Sequence, residues 1–158
     1  MYGVYYARIT GNIRSSSSGL DVHDAEASIT VGGNAQLSSI LGGLASGAVY
    51  NGNVKISIEG GTVSSVCGGS QGFQSVDASF TGKTRIDVSG GKVESIYSAG
   101  SGRELSIPSF KGSISVNVTG GEVGNLYGAG SAASVVSDTD ILSEISMNIS
   151  GSGQVTNI

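Results

Sequence analysis

The sequence predicts an all-β protein, a right-handed parallel β-helix (solenoid) with about 30 residues and three short strands per coil and four to five coils. Three observations carry this reading. A glycine pair recurs at Gly32-Gly33, Gly60-Gly61, Gly90-Gly91 and Gly120-Gly121, with a degenerate copy at Gly151-Ser152-Gly153, so that successive first glycines stand 28, 30, 30 and 31 residues apart. Each pair is flanked by the same two patterns, an apolar/polar alternation before it and Val-x-x-Ile/Leu or a close variant after it. No segment spaces apolar residues three and four apart over three turns, which excludes a helical solenoid. A fixed period of this size marks stacked supersecondary units that bury their apolar sides only against one another.

The elements follow in order along each repeat. The first strand turns Ile29 and Val31, Ile56 and Ile58, Ile86 and Val88, Val116 and Val118, Met147 and Ile149 inward, with the period of two of a half-buried strand. Most of these are β-branched, as a pleated surface prefers. The glycine pair then turns the chain, since glycine takes positive φ at little steric cost. The second strand buries Leu37 and Ile40, Val63 and Val66, Val93 and Ile96, Val123 and Leu126, Val155 and Ile158. A third element is anchored ten residues before each pair by Tyr50, Phe80, Phe110 and Ile141. Stacked coils place like residues in columns about 4.8 Å apart. Right-handedness follows from the general rule for parallel crossovers. An antiparallel sandwich is the competing arrangement, and the identity of residues down each column weighs against it.

The repeats occupy 26–158 of a single unit spanning 1–158. Residues 1–25 read as an irregular first coil, with Val4 to Ile13 completing a turn and Ser15 to Gly19 an inserted loop. The ends are in phase: Val155-Thr-Asn-Ile158 lacks the Tyr-Gly that follows in other repeats, and Tyr2-Gly3 supplies it. The expectation is a segment of a longer array, with end-to-end stacking of identical chains as the other explanation.

Composition narrows the function classes. Leu, Ile, Val and Phe make up about a quarter of the 158 residues, enough for a core. The 27 glycines come with one proline and no Gly-X-Y period, so collagen does not fit. A net charge of −4 with 13% charged residues argues against nucleic acid as a partner. No apolar stretch approaches the roughly 20 residues that span a bilayer, so membrane insertion is not expected, and Met1-Tyr-Gly-Val-Tyr-Tyr does not read as a signal peptide. The single Cys67 excludes an intramolecular disulfide and occupies the slot that tyrosine fills in the next repeats.

The unit I-x-V-x-G-G-x-V-x-x-I/L-Y-G-x-G, read from Ile86 to Tyr97 and from Val116 to Gly130, resembles the glycine-rich repeats of large bacterial adhesin-like surface proteins. The resemblance covers residues 26–158, with departures at Leu41, Cys67 and Ser98. It implies extracellular display on a bacterial cell surface and adhesion to a host or environmental glycan or protein. It carries no catalytic residues over.

Chemistry is expected in two places. The outward positions of the first strand form polar ladders: Lys55, Arg85, Ser115, Ser146; then Ser57, Asp87, Asn117, Asn148; then Glu59, Ser89, Thr119, Ser150. Such arrays hydrogen-bond a sugar chain lying along the stack, with Arg85, Asp87, Asn117 and Asn148 as ligand-binding residues. The bland alternative is a solvated face that keeps the sheet soluble. Asn117-Val-Thr119 and Asn148-Ile-Ser150 also match the glycosylation sequon, at mid-strand. The tyrosine slot (Tyr2, Tyr97, Tyr127) is the second place, an aromatic strip if it faces outward and a core stack if inward. Loops after that slot vary between repeats, and the longest holds Asp138, Asp140 and nearby Glu144, three acidic groups of the kind that hold calcium, although neither an EF-hand nor a GGxGxD repeat is present. No metal site and no cofactor are assigned. Asp21, His23 and Asp24 read as a turn. No carboxylate pair and no Gly-x-Ser-x-Gly elbow suggests catalysis. The expected function is a non-catalytic adhesin stalk or binding module; the alternatives are a carbohydrate-active β-helix, lyase- or hydrolase-like, and a self-assembling filament subunit.

Overall fold

A computed structural model describes residues 5–15, 21–43, 49–71, 79–101, 109–131, 134–135 and 144–158. It is a parallel β-solenoid. The strands are β1 (Tyr5–Ser15), β2 (Asp21–Gly33), β3 (Gln36–Leu41), β4 (Val49–Cys67), β5 (Ser70–Gln71), β6 (Ser79–Tyr97), β7 (Gly100–Ser101), β8 (Ser109–Val118), β9 (Glu122–Tyr127), β10 (Gly130–Ser131), β11 (Ser134–Val135), β12 (Glu144–Ile149) and β13 (Gln154–Asn157).

One face of the solenoid stacks β2, the first halves of β4 and β6, β8 and β12 in parallel, with Ile29, Ile56, Ile86, Val116 and Met147 along one column. A second face stacks β3, the second halves of β4 and β6, β9 and β13. The third side is a narrow sheet of β5, β7 and β10. Three turns therefore have all three sides described, and the rungs before and after them have two sides described. The parallel ladders rule out the antiparallel sandwich.

The predicted columns are the core. Ile56, Ile58, Val63, Val66, Ile86, Val88, Val93, Ile96, Val116 and Val118 are fully buried. Each coil alone has one apolar face, and the next coil's side chains, one strand spacing away, remove it from water. Tyr50, Phe80 and Phe110 stack through the interior with centroids 4.8 and 4.9 Å apart and nearly parallel rings. Their segment is not a separate element. It is continuous with the first strand, with Gly52, Gly82 and Gly112 in register just after the rings. The glycine pair bends rather than ends the strand in β4 and β6, where Gly61 and Gly91 take φ of 80° and 75°. Past the tyrosine slot the backbone of adjacent coils comes so close that a Cβ at Gly69 would collide with the carbonyl of Ala99. That close approach is why glycine stands at this corner.

Other expectations change or fall outside the described residues. The first segment is not a coil: β1 runs antiparallel to β2, from Tyr5 opposite Gly33 to Ser15 opposite Val22, with an irregularity between Asn12 and Arg14. It occupies the edge of β2 that a preceding parallel strand would take. Ile141, expected in the aromatic column, lies outside the described residues, as do Tyr2 and Gly3; the residue registered with Phe110 is Val135. The ladder of Glu59 and Ser89 slips, because Glu59 is registered with Gly90 at the glycine corner. Finally, Ile145, Met147 and Ile149 on the last rung continue the inward columns but stay 37–41% exposed, and Ile158 is 74% exposed.

Candidate functional site

The outward side of the first face is the candidate site, and its register is set by the core behind it. Because Ile86 and Val88 lock into columns with Ile56 and Ile58, the intervening Asp87 must fall beside Ser57 and Asn117. Arg85 Nε donates to both carboxylate oxygens of Asp87, at 2.9 and 2.7 Å. Asn117 Nδ2 donates to Asp87 Oδ1 at 2.9 Å and to Ser115 Oγ at 3.3 Å. The predicted residues Arg85, Asp87 and Asn117 thus form one connected chain across two coils. Asn148 is registered with Asn117 on the last rung and is exposed. Asp87 is the hub, with its side chain 23% exposed against 61% for Arg85. The Asp87 carboxylate raises the Arg85 pKa, by hydrogen bond first and by charge second.

A second polar ladder was missed by the sequence reading. On the second face Asn125 Nδ2 donates to Ser95 Oγ at 3.3 Å, and Asn157 Nδ2 donates to Asn125 Oδ1 at 2.9 Å. Lys92 and Glu122 pair at 3.6 Å on the same face. The offsets of 30 and 32 residues between Ser95, Asn125 and Asn157 were the available signal, masked by the stronger apolar pattern of their neighbours Val93, Val123 and Val155.

The tyrosine slot faces outward at the corner between the second and third sides. Ile96 and Leu126 point in and are buried, while Tyr127 is 44% exposed. The rings of Tyr97 and Tyr127 stack 5.1 Å apart and are parallel to within 3°. Each ring covers a face of the other, so the pair offers ring edges and hydroxyls along the corner rather than a row of open faces. The column continues through Cys67 and Leu41. Those smaller side chains line a cleft of about 410 Å³ together with Ser39, Ser65 and Gln71. Burial pushes the Cys67 thiol pKa up, while hydrogen bonding to Ser65 and Ser101 partly offsets this.

Of the calcium candidates, Asp138 and Asp140 lie outside the described residues, and Glu144 is exposed at the start of β12. Asp21, His23 and Asp24 do not form a turn: they lie in β2, where the register with β4 shifts between Val22 and Ala25, and their side chains lie outside the description. Among the described residues no helix is long and apolar enough to cross a membrane.

Comparison with protein-family models, with curated proteins and with solved structures finds no match.

Proposed function

We propose that this chain is a non-catalytic binding module, a surface-displayed β-solenoid of the adhesin-stalk kind that holds a glycan along its first face. The observation that supports the reading is the connected array of Arg85, Asp87 and Asn117, which spans two coils on a backbone fixed by fully buried columns. Hydroxyls, amides and charges at a fixed spacing match the donors and acceptors of an extended sugar chain, and a rigid array loses little entropy on binding. The Tyr97–Tyr127 corner adds hydroxyls and aromatic edges next to the second polar ladder. Extracellular display on a bacterial surface is part of the same proposal and rests on the resemblance of the repeat unit.

A glycan array screened with the purified chain tests it. Binding without product formation is expected, and Asn117→Ala should weaken it. New reducing ends or unsaturated sugars would favour a carbohydrate-active solenoid instead.

One observation favours a second reading, end-to-end association of copies: the last rung exposes Ile145, Met147 and Ile149 on β12, which among the described residues pairs only with β8. Sedimentation at rising concentration tests this, and a monomer at every concentration excludes it.

A further inference from the structure

Cations are scarce in this acidic chain, which has 8 Lys and Arg against 12 Asp and Glu. Three of them nevertheless gather on the N-terminal half of the first face. Ser28, Lys55 and Arg85 form one outward row across three coils, and Glu26, Asn53 and Lys83 form the row two residues away. Between the rows runs an open groove of about 390 Å³ lined by Lys55, Lys83, Arg85 and Glu26. Rows two residues apart are about 6.6 Å apart and rungs about 4.8 Å apart, so all three cations are within reach of one small anion or of adjacent charges on a polymer.

The arrangement brings like charges together. Lys55 stands directly across from Arg85, and like charges facing across strands destabilise a sheet. Among the described residues, neither Lys55 nor Lys83 lies within ion-pair distance of a carboxylate. Arg85 is held by Asp87 through Nε, which fixes its direction. The next coil shows that the fold does not need these charges, because Ser113 and Ser115 occupy the positions of Lys83 and Arg85.

We infer that this groove binds acidic glycans, with Lys55, Lys83 and Arg85 taking the carboxylates or sulfates of a linear polysaccharide and Ser28 and Asn53 its hydroxyls. The inference deepens the proposed function and rests on it. Nucleic acid fits less well: three cations beside Glu26 and Asp87 neutralise few phosphates, and the groove has no aromatic side chain on which a base could stack.

The test is calorimetric titration of the whole chain with an oligogalacturonate and with its fully methyl-esterified, neutral counterpart. The comparison variant is Lys55→Ser/Lys83→Ser, which copies residues the next coil already accommodates. The acid should bind more tightly than the ester by at least about tenfold, and raising salt should weaken only the acid. The double variant should lose that tenfold preference while its melting temperature stays within about 2 °C of the parent. Equal binding of acid and ester, or an unchanged preference in the variant, would overturn the acidic-ligand inference and leave the binding-module reading standing. Failure of both sugars and of the glycan array would remove both. Single-stranded DNA bound as tightly as the oligogalacturonate would also overturn it.

Discussion

Ser98 holds the only buried side-chain oxygen without a hydrogen-bond partner among the described residues. It stands where Gly68 stands in the preceding coil, at the tight corner after the tyrosine slot. A buried hydroxyl that gave up water and gained no partner costs about 1–3 kcal/mol. Ser98→Ala keeps the Cβ that already fits and removes the oxygen, so it should stabilise the protein by about 1 kcal/mol and raise the melting temperature by about 2–4 °C. A lower melting temperature by scanning calorimetry would show that the hydroxyl is in fact satisfied. Two other buried groups set the response to pH. Burial raises the pKa of the Cys67 thiol and of the Tyr50 phenol, and the Tyr50 hydroxyl also donates to the carbonyl of Asn53 at 3.3 Å. Both folded values lie above the unfolded ones, so the neutral forms are the ones that the fold stabilises. Their contribution is complete below the unfolded values of about 8.5 for cysteine and about 10 for tyrosine, and is lost as pH rises through the folded values. Denaturant midpoints should therefore begin to fall above about pH 8.5, and Cys67→Ala should move that onset toward about pH 10.

The strands show which parts of the fold were readable in advance. The inward columns were legible because a period of two within strands and of 30 between them leaves one register that buries Ile56, Ile86 and Val116 together. The direction of β1 was not, since its alternation of side chains is the same whether it pairs parallel or antiparallel. The strands of the third side, Ser70–Gln71 and Gly100–Ser101, were also hidden, because glycine, serine and glutamine carry no apolar pattern. At the site, the Arg85–Asp87 pair followed from its i, i+2 spacing, and Asn117 joined it through column position. The groove between Lys55 and Lys83 depended on two rows of different coils and emerged only with the register. Glycine, too, means different things at different points of an element. Gly82 lies inside β6 with φ of 142°, and a Cβ there would run into the backbone carbonyl of Gly52. Gly128 lacks a positive φ, and a Cβ there would meet the flexible end of Met147 at 3.3 Å and Ile145 Cγ2 at 3.8 Å. Gly82→Ala should consequently cost about 3 kcal/mol or more, whereas Gly128→Ala should change stability by less than about 1 kcal/mol. Urea unfolding of the two variants side by side checks this, and equal losses would mean that the backbone column yields more easily than its geometry implies.

At the scale of the molecule, stability is shared among coils that touch only their neighbours, which separates a solenoid from a globule with one central core. The register makes that property testable by removing a whole turn. Ser79 pairs with both Val49 and Ser109, so deleting 79–108 brings β4 directly against β8 without shifting any column. Tyr50 would then stack on Phe110, Ile56 would lie beside Val116, and Val66 would lie beside Leu126. The shortened chain should keep its β-sheet circular dichroism and unfold cooperatively. Its melting temperature should drop by roughly 5–15 °C, because one inter-coil interface worth a few kcal/mol is gone. Collapse to an unfolded chain would mean that the coils depend on long-range contacts and that the nearest-neighbour picture is wrong. The same deletion removes Lys83, Arg85 and Asp87 together while Tyr127 and Asn125 remain. A shortened chain that folds but no longer prefers the acidic sugar would assign that preference to the first face of one particular coil. Retained preference would move it to the corner and the second ladder, which the deletion leaves in place.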